Sequence, residues 1–241
     1  MFIALTRAVP SSIASCQLTH LDRVPIDVAV ARAQHEEYER ALESLGCMIV
    51  PVATADELPD SVFVEDIAVV TDDVAVITRP GAESRRAESA GVVEVLRRYR
   101  ELRFIEAPGT IDGGDVLRIG DRVFAGLSSR TNREGIRQFG AEAIEVRGAL
   151  HLKSAVTQIG ENSVLINRDW VSGFDDYEQI EVHADEPFAA NALRIGDALI
   201  YSKSFPRTLE RLKNYDVRTV DASELAKAEG GVTCCSVIFA A

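Results

Sequence analysis

The sequence predicts an α/β protein in a single domain over residues 1–241, built as a propeller of five pseudo-symmetric ββαβ units. The first observation behind this prediction is the pentapeptide Leu-Arg-Ile-Gly-Asp, which occurs at 117–121 and again, unchanged, at 193–197. Each copy joins two short β-type runs through a tight Gly-Asp turn, as a β-hairpin does. The second observation is that such hairpins alternate with a helix and a further strand every 40 residues or so, at about the spacing of repeat architectures. Units of this kind, stacked in a ring, form a propeller.

Five hairpins can be placed along the chain. Four of them follow from runs of apolar and β-branched residues on either side of a polar turn. The fifth forms only if the C-terminal run pairs with the N-terminal run, which would close the ring with the two ends of the chain. The predicted hairpins cover 67–77, 115–125, 154–166, 191–201, and 236–239 paired with 2–5.

A helix and then a third strand are predicted after four of the five hairpins. Pro206 is well suited to the first position of the last helix. The segment 167–186 has no periodic helix pattern, and only 180–182 is predicted as its strand. The helices are expected at 28–45, 83–99, 131–139 and 207–215, and the strands that follow them at 47–52, 103–106, 143–146 and 217–220.

A doubly wound α/β sheet is the competing fold. It accounts for the alternation of strands and helices, but it does not account for the repeated short hairpins. The sequence also lacks the G-x-G-x-x-G and G-x-x-x-x-G-K-[ST] motifs that would support nucleotide binding. We therefore prefer the propeller.

Composition and charge exclude several classes of protein. The net charge of −12 argues against a nucleic-acid partner and is compatible with a cationic small substrate. No apolar run approaches the roughly 20 residues of a membrane span, and the first residues lack a signal-peptide pattern. We therefore expect a cytosolic protein with no membrane partner and with reduced cysteines. The cysteines, at 16, 47, 234 and 235, match no zinc spacing, so no structural metal is expected.

Unusual polar residues stand just ahead of the predicted hairpins. Glu65 and Asp66 precede the first hairpin, the run 112–115 (Asp-Gly-Gly-Asp) the second, His151 the third and Cys234 the fifth. If a rotation relates the units, these positions converge at one end of the axis. Taken singly, each has a plainer explanation. Free cysteines are commonly small buried hydrophobes, Asp-Gly runs commonly form turns, and a histidine between leucines is commonly a hydrogen-bonded core residue.

Together, these side chains suit one reaction. A thiolate is a strong nucleophile, particularly where a nearby cation lowers the pKa of its thiol. A histidine can protonate a leaving amine and then deprotonate water, and a carboxylate beside it fixes its tautomer. Further carboxylates would hold a planar cation through paired hydrogen bonds. The residue set therefore indicates attack on a guanidinium carbon.

Six motifs, in order along nearly the whole chain, make this interpretation more specific. They are L-P-D-S-V-F-V-E-D at 58–66, T-R-P-G-A-E-S-R-R at 78–86, I-D-G-G-D-V-L at 111–117, G-L-S-S-R-T-N at 126–132, L-H-L-K-S at 150–154 and G-G-V-T-C-C-S-V at 230–237. With them the sequence resembles the dimethylarginine dimethylaminohydrolases of the guanidino-group-modifying superfamily. The resemblance implies a pentein-type fivefold ββαβ propeller that hydrolyses asymmetrically N-methylated arginines to citrulline and a methylamine, with no cofactor.

The resemblance also implies roles for ten residues. Cys234 would be the nucleophile, His151 the general acid and base, and Asp112 the carboxylate that orients the histidine. Neighbours on a strand point to opposite faces, so only one of the two adjacent cysteines can face the cleft, and the resemblance selects Cys234. The residues implied in substrate binding are Asp60, Glu65 and Asp66 around the guanidinium, Arg85 and Arg130 at the substrate carboxylate, the carbonyl of Ala228 at the α-amino group, and Leu18 in a lid loop.

Other functions stay open at this point. A related hydrolase could act on arginine itself or on another guanidino acid, and would release ammonia with citrulline. An amidinotransferase is disfavoured because it needs room for an acceptor amine and the chain is short. A non-catalytic binder of cationic amino acids is disfavoured because the set of Cys234, His151 and Asp112 is intact. The oligomeric state is not fixed by the sequence, and a homodimer is one candidate.

Overall fold

Five separate three-stranded β-sheets make up the structure, a computed structural model that describes residues 1–241. Every sheet has the same internal order: two strands form an antiparallel hairpin, and a third strand runs parallel to the second strand of the hairpin. In four of the sheets a helix connects these last two strands. The predicted fivefold ββαβ propeller is confirmed.

The strands are short, as expected for propeller blades. In chain order they are β1 (Phe2–Thr6), β2 (Cys47–Pro51), β3 (Ala68–Val70), β4 (Val74–Ile77), β5 (Glu101–Phe104), β6 (Val116–Ile119), β7 (Arg122–Leu127), β8 (Glu142–Glu145), β9 (Val156–Gln158), β10 (Ser163–Ile166), β11 (Glu178–Glu181), β12 (Ala192–Ile195), β13 (Ala198–Ser202), β14 (Asp216–Val220) and β15 (Val237–Ala240). The sheets are β15-β1-β2, β3-β4-β5, β6-β7-β8, β9-β10-β11 and β12-β13-β14.

The two ends of the chain share one sheet, as predicted. Strand β1 pairs with β15 from Phe2 opposite Ala240 to Leu5 opposite Val237. Strand β15 begins at Val237, so the two adjacent cysteines lie in the turn before it and not on the strand. The reason is local, because the Cys234 N–H donates back to the Gly231 carbonyl at 3.2 Å and closes a turn. Cys234 and Cys235 are therefore not neighbours on a strand, and the prediction that strand alternation separates them is wrong.

The helices have defined ends where the sequence supplies caps. Helix α1 starts after Asp27, whose carboxylate accepts the N–H of Ala29 at 3.0 Å. Helix α3 starts two residues later than predicted because Asn132 caps it, accepting from Gly135 N at 2.8 Å. The helices are α1 (Val28–Ser44), α2 (Ser89–Leu96), α3 (Arg133–Phe139), α4 (Leu152–Ala155), α5 (Pro206–Leu209) and α6 (Ser223–Ala226).

Two predicted helices are interrupted. The segment predicted as one helix over 83–99 is a 3-10 helix at Glu83–Glu88 followed by α2. A 3-10 helix has three residues per turn, so residues i and i+3 eclipse one another. Here that geometry stacks Arg85 on Glu88, and the pair is buried and joined at 2.9 Å. The helix predicted at 207–215 likewise passes into a 3-10 turn at Glu210–Leu212.

The segment 167–186 contains no helix, as predicted, and its strand β11 begins two residues earlier and ends one residue earlier than expected. The largest apolar cluster packs α1 against β1, β2 and β13 through residues such as Ala4, Leu42 and Ile200. No helix of the structure has both the length and the apolar composition needed to cross a bilayer. The core therefore lies between the sheets and the outer helices, and the loops that lead into the first strands are left to form the site.

Candidate active site

The residues ahead of the first strands contact one another although they come from different sheets. Side-chain atoms of Asp66, Asp112 and His151 all lie within 4.8 Å of one another. The amide of Asn191, ahead of β12, donates to Thr233 Oγ1 at 3.0 Å, next to Cys234 and ahead of β15. All five sheets thus contribute to one cluster, and the convergence expected from the repeat is found.

A narrow cavity ends at Cys234. Its free space of about 10 Å³ is roughly the room that one water requires, so the lining side chains leave no space for a larger molecule. Three of the ten predicted residues lie outside its lining. Asp112 is behind His151, Glu65 is behind the cysteine loop, and Leu18 packs against the cluster around α1. The predicted residues that line it are Asp60, Asp66, Arg85, Arg130, His151, Ala228 and Cys234.

Two glycines allow the cysteine loop to pass close to its neighbours. A Cβ atom at Gly230 would lie 2.2 Å from the ring of Phe63, and one at Gly231 would lie 2.4 Å from Asn191 Oδ1. In the resulting turn the Gly231 N–H donates to Cys234 Sγ at 3.3 Å. The thiol is thereby fixed at the end of the cavity. Cys235, in contrast, is fully buried in the core around α1 and is structural.

The thiol of Cys234 is protonated at neutral pH. Burial, and then the charges of Glu65 and Asp66, raise its pKa to about 12. A neighbouring cation does act on this thiol, because the charge of Lys153 lowers its pKa, but burial and the two carboxylates outweigh that effect. Lys153 is itself paired with Glu65, at 2.5 Å. A cation that enters the cavity would act in the same direction as Lys153 and favour the thiolate.

His151 lies between two carboxylates. Its Nε2 atom is 3.1 Å from Asp112 Oδ2, and its Nδ1 atom is 3.7 Å from Asp66 Oδ1. Burial disfavours the charged imidazolium, but Asp66 and the hydrogen bond to Asp112 outweigh it and raise the pKa of His151 to about 9. The histidine therefore carries a proton at neutral pH, which suits a general acid. Asp112 also accepts the N–H of Gly81 at 2.9 Å, so its own position is fixed.

Asp115, the second aspartate of the Asp-Gly-Gly-Asp run, positions the chain at the histidine. Its Oδ1 accepts the N–H of Leu152 at 2.8 Å, and its Oδ2 accepts the hydroxyl of Ser128 at 2.6 Å. Because Leu152 follows His151 directly, this carboxylate fixes the backbone that carries the imidazole. Sequence reasoning named the run as a turn and a source of Asp112, and did not separate this second role.

The cluster of Asp66, Asp112 and His151 offers three ligand atoms, as many as a catalytic zinc site uses. Arg85 lies 2.6 Å from Asp66, and Arg130 lies 3.9 Å from Asp112. Two guanidinium groups beside these carboxylates would repel a divalent cation. The cluster fits the control of a histidine proton better than it fits a metal centre.

A second polar network lies directly behind the thiol. Glu65 Oε1 accepts from Lys153 Nζ at 2.5 Å and its Oε2 accepts from Thr233 at 2.8 Å. The Glu65 N–H donates to the Cys234 carbonyl at 3.1 Å. Both carboxylate oxygens of Glu65 are thus used inside the protein, and the side chain faces a second cavity on the far side of the thiol. Glu65 therefore contacts the cysteine loop, whereas the resemblance implies that it lies around the guanidinium of the substrate.

Asn191 completes this network and was missed in the sequence. Its amide donates to the Lys153 carbonyl at 3.0 Å, and its Oδ1 accepts the Thr233 N–H at 3.1 Å. A signal was present, because Asn191 stands two residues before the second Leu-Arg-Ile-Gly-Asp copy, as Asp115 stands before the first. Rotationally equivalent residues therefore support the cysteine loop and the histidine loop.

The two arginines predicted to bind substrate differ in their surroundings. Arg85 is buried and makes five hydrogen bonds, which reach Asp66, Glu88 and two backbone carbonyls. The guanidinium of Arg130 makes one hydrogen bond, to Thr19 Oγ1 at 3.2 Å. The charge of Arg85 is therefore already compensated, and together with His151 it outweighs burial and holds the pKa of Asp66 well below its usual range. Arg130 is the cation that remains available to a ligand.

Asp60 and the segment that contains Leu18 lie at the mouth of the cavity. Both carboxylate oxygens of Asp60 lie 3.1 Å from the Gln17 N–H. Gln17 and Ala228 line the cavity on this side. The predicted lid position therefore lies over the cavity, and its backbone is held there by a residue predicted to bind substrate.

A fivefold propeller with a cysteine, a histidine and paired carboxylates at one end of its axis defines the class of guanidino-group-modifying enzymes. Comparison with known proteins narrows this class. The family model described as "N,N dimethylarginine dimethylhydrolase, eukaryotic" matches residues 19–185. The N(G),N(G)-dimethylarginine dimethylaminohydrolase of Streptomyces coelicolor is 39% identical over 97% of this chain and 95% of its own length. The enzyme of the same name from Pseudomonas aeruginosa is 38% identical over 88% of this chain and 90% of its own length.

Solved structures agree with the sequence relatives. A cysteine-to-serine variant of the Pseudomonas aeruginosa enzyme, in complex with citrulline, has a TM-score of 0.93 at 35% identity and covers 98% of both chains. A histidine-to-glycine variant of a dimethylarginine dimethylaminohydrolase, as an adduct with S-methyl-L-thiocitrulline, also has a TM-score of 0.93, at 36% identity over 99% of this chain and 100% of that one. The chain belongs to the dimethylarginine dimethylaminohydrolase family.

Proposed function

We infer that this protein hydrolyses asymmetrically N-methylated arginines to citrulline and a methylamine. The observation that carries the inference is that the Cys234 thiol, His151 and Asp66 share one narrow cavity, with Arg130 in its lining. A nucleophile, a proton donor and a carboxylate for a cation are thus combined with a group that can bind a carboxylate. Relatives at 38% and 39% identity carry the same enzyme name, which supports the inference.

Substrate binding follows from the charges of the cavity. Arg130 binds the substrate carboxylate through charge-assisted hydrogen bonds, and the carbonyl of Ala228 accepts from the α-amino group. Asp60 and Asp66 flank the guanidinium. Asp66 is held ionised by His151 and Arg85 in spite of its burial, so it presents a negative charge to the substrate.

Binding of the guanidinium prepares the nucleophile. A positive charge beside the thiol offsets the carboxylates that raise the pKa of Cys234. The proton leaves to solvent, and the thiolate forms a bond to the guanidinium carbon. The substrate itself thus adds a cation beside the thiol.

His151 then transfers its proton to the dimethylamino nitrogen, and the bond between carbon and this nitrogen breaks. A thiouronium on Cys234 and free dimethylamine remain. Neutral His151 next takes a proton from water, whose oxygen bonds to the carbon. The bond to sulfur breaks, the remaining proton of that water passes to the departing thiolate, citrulline leaves, and His151 is again protonated. General acid and base catalysis of this kind contributes about 10²- to 10⁴-fold.

The test of this function is product analysis with two substrates. The enzyme is incubated with asymmetric dimethylarginine and, in parallel, with arginine, and citrulline, dimethylamine and ammonia are measured. We expect citrulline and dimethylamine in equal amounts from the first substrate and slow turnover of the second. Ammonia and citrulline from arginine at the higher rate would instead identify a hydrolase of arginine. Binding of both without turnover would identify a binding protein.

The cysteines, the reaction steps and the net charge indicate the compartment, the cofactor requirement and the partner of the enzyme. All four cysteines are free, which supports action in a reducing compartment such as the cytosol. The steps above consume only substrate and water, so no cofactor enters them. The partner is a small cationic molecule, to which the net charge of −12 is favourable.

A further inference from the structure

One carboxylate holds three consecutive N–H groups of the segment that covers the cavity. Glu229 accepts from Thr19 N at 3.0 Å, from His20 N at 2.5 Å and from Leu21 N at 2.7 Å. Its side chain makes no hydrogen bond to any other part of the protein, since every bond in which it takes part ends on this segment. We refer to residues 17–21 as the lid and to this set of contacts as the clasp.

The backbone of Glu229 is held in an unfavourable conformation to make these contacts. Its φ angle is 59°, and it is the only non-glycine residue of the chain with a positive φ. Left-handed backbone suits glycine and asparagine far better than glutamate. Such strain persists where the surroundings over-determine it, often at functional positions. A glutamate in this position is consistent with a need for its carboxylate.

Packing contributes little to holding the outer part of the lid. A cavity of about 270 Å³ lies beside it, lined by His20, Leu21 and Glu229 among others. Leu21 is 37% exposed, so its side chain is not anchored in a core. Only Leu18 packs against the apolar cluster around α1. Hydrogen bonds, and above all the clasp, therefore keep the lid in its closed position.

The other lid contacts come from residues that the proposed function gives to the substrate. Asp60 accepts the Gln17 N–H, and Arg130 donates to the Thr19 hydroxyl. Ligand binding competes for these two side chains, whereas Glu229 has no other partner. Because the closed cavity has room for about one water, substrate enters only when the lid opens.

We propose that Glu229 is the positioning residue that closes the lid over the bound substrate and must release it for product to leave. The proposal rests on the proposed function for its kinetic part, and on geometry alone for its structural part. Glu229 adjoins Ala228 and lies in the loop that leads to the nucleophile. The clasp therefore couples closure of the lid to the backbone that binds the substrate and carries Cys234.

The experiment compares hydrogen exchange at the lid in matched variants. In Glu229→Asn the carboxylate is lost and the left-handed backbone is relieved, so the variant is expected to fold. The control is Glu224→Ala, which removes a carboxylate that accepts from Asp27 N and not from the lid. We expect exchange at Thr19, His20 and Leu21 to rise by about tenfold or more in Glu229→Asn, as for loss of hydrogen bonds to a charged group, and to stay unchanged in the control.

A second measurement uses the nucleophile as a probe of closure. Alkylation of Cys234 by iodoacetamide should be about tenfold faster in Glu229→Asn, because the thiol is then reached through an open lid. Glu229→Gln, which keeps one acceptor oxygen, should lie between the wild type and Glu229→Asn. With dimethylarginine, KM should rise in Glu229→Asn while kcat is kept or increased, since release is faster.

Unchanged exchange and unchanged alkylation in Glu229→Asn would overturn the proposal, as would equal changes in the Glu224→Ala control. Failure of the proposed function would look different. In that case dimethylarginine would not be turned over by any variant, while the exchange and alkylation differences at the lid would still be seen.

Discussion

Lys153 Nζ lies 2.5 Å from Glu65 Oε1, and this ion pair stands directly behind the loop of Cys234. Glu65 is buried, and burial raises the pKa of its carboxyl while Lys153 opposes that effect. The pair also carries the hydrogen bond to Thr233 that supports the loop. Glu65 therefore acts on the nucleophile from the side away from the substrate, and the pair provides the first prediction.

Replacement of Lys153 by methionine should destabilise the protein more than replacement of both partners. The single change leaves the buried Glu65 carboxylate unpaired, and loss of one partner of a buried pair costs about 3 kcal/mol or more. In the double variant with Glu65→Gln no charge is left uncompensated. The free energy of unfolding in urea measures the difference. Equal losses in the single and double variants would show that the pair is not coupled.

Arg130 and Arg85 should respond differently to replacement by lysine. For Arg130→Lys we expect KM to rise about tenfold to a hundredfold with little change in kcat, because a charge-assisted bond present in both ground and transition states is weakened. Steady-state kinetics with dimethylarginine at one pH gives both constants.

For Arg85→Lys the main loss should be in stability, by about 3 kcal/mol, because Asp66 and Glu88 are buried against this guanidinium. The activity should fall through kcat as Asp66 moves. A variant as stable as the wild type, with only its KM raised, would return Arg85 to the role of a direct ligand of the substrate carboxylate.

The basic limb of the pH profile should report His151. Its pKa of about 9 in the folded protein lies above the value of about 6.5 for a free histidine. The stabilisation from its charged form is therefore complete below about pH 6.5 and is lost as the pH rises through about 9. We expect kcat/KM, which reports the pKa values of the free enzyme, to fall over the same upper range as the proton donor is lost.

The control for this assignment is Asp112→Asn. Without the charge of its partner at 3.1 Å, the imidazolium is less stabilised, so the fall in kcat/KM should move to lower pH. The comparison of unfolding free energies between the wild type and His151→Gln at several pH values gives the same information from stability. If activity falls at the same pH in Asp112→Asn as in the wild type, the group that titrates in this range is not His151.

Much of this structure could be predicted because each repeat unit has a recognisable local sequence pattern. The Leu-Arg-Ile-Gly-Asp copies mark equivalent hairpins, and the polar residues ahead of them converge because the sheets are related by rotation. The separate roles of Arg85 and Arg130 could not be predicted, since they depend on the partners Asp66 and Thr19, which are distant in sequence.

Three further features of the site were not predicted from the sequence. The turn at Cys234 follows from its hydrogen bond to Gly231, which an apolar β-rich run conceals. The role of Glu229 depends on a left-handed backbone angle that is not expected for this residue type. The protonation of Cys234 depends on its burial beside Glu65 and Asp66, which becomes visible only in three dimensions.

The most direct test of the central claim is mass spectrometry of enzyme quenched with acid during turnover of asymmetric dimethylarginine. The account predicts an adduct on the peptide with Cys234, with the mass of substrate minus dimethylamine, and no adduct in Cys234→Ser. Because this peptide also contains Cys235, fragmentation must place the adduct on the first of the two cysteines. An adduct on Cys235, Cys16 or Cys47, or turnover that persists in Cys234→Ser, would contradict the account.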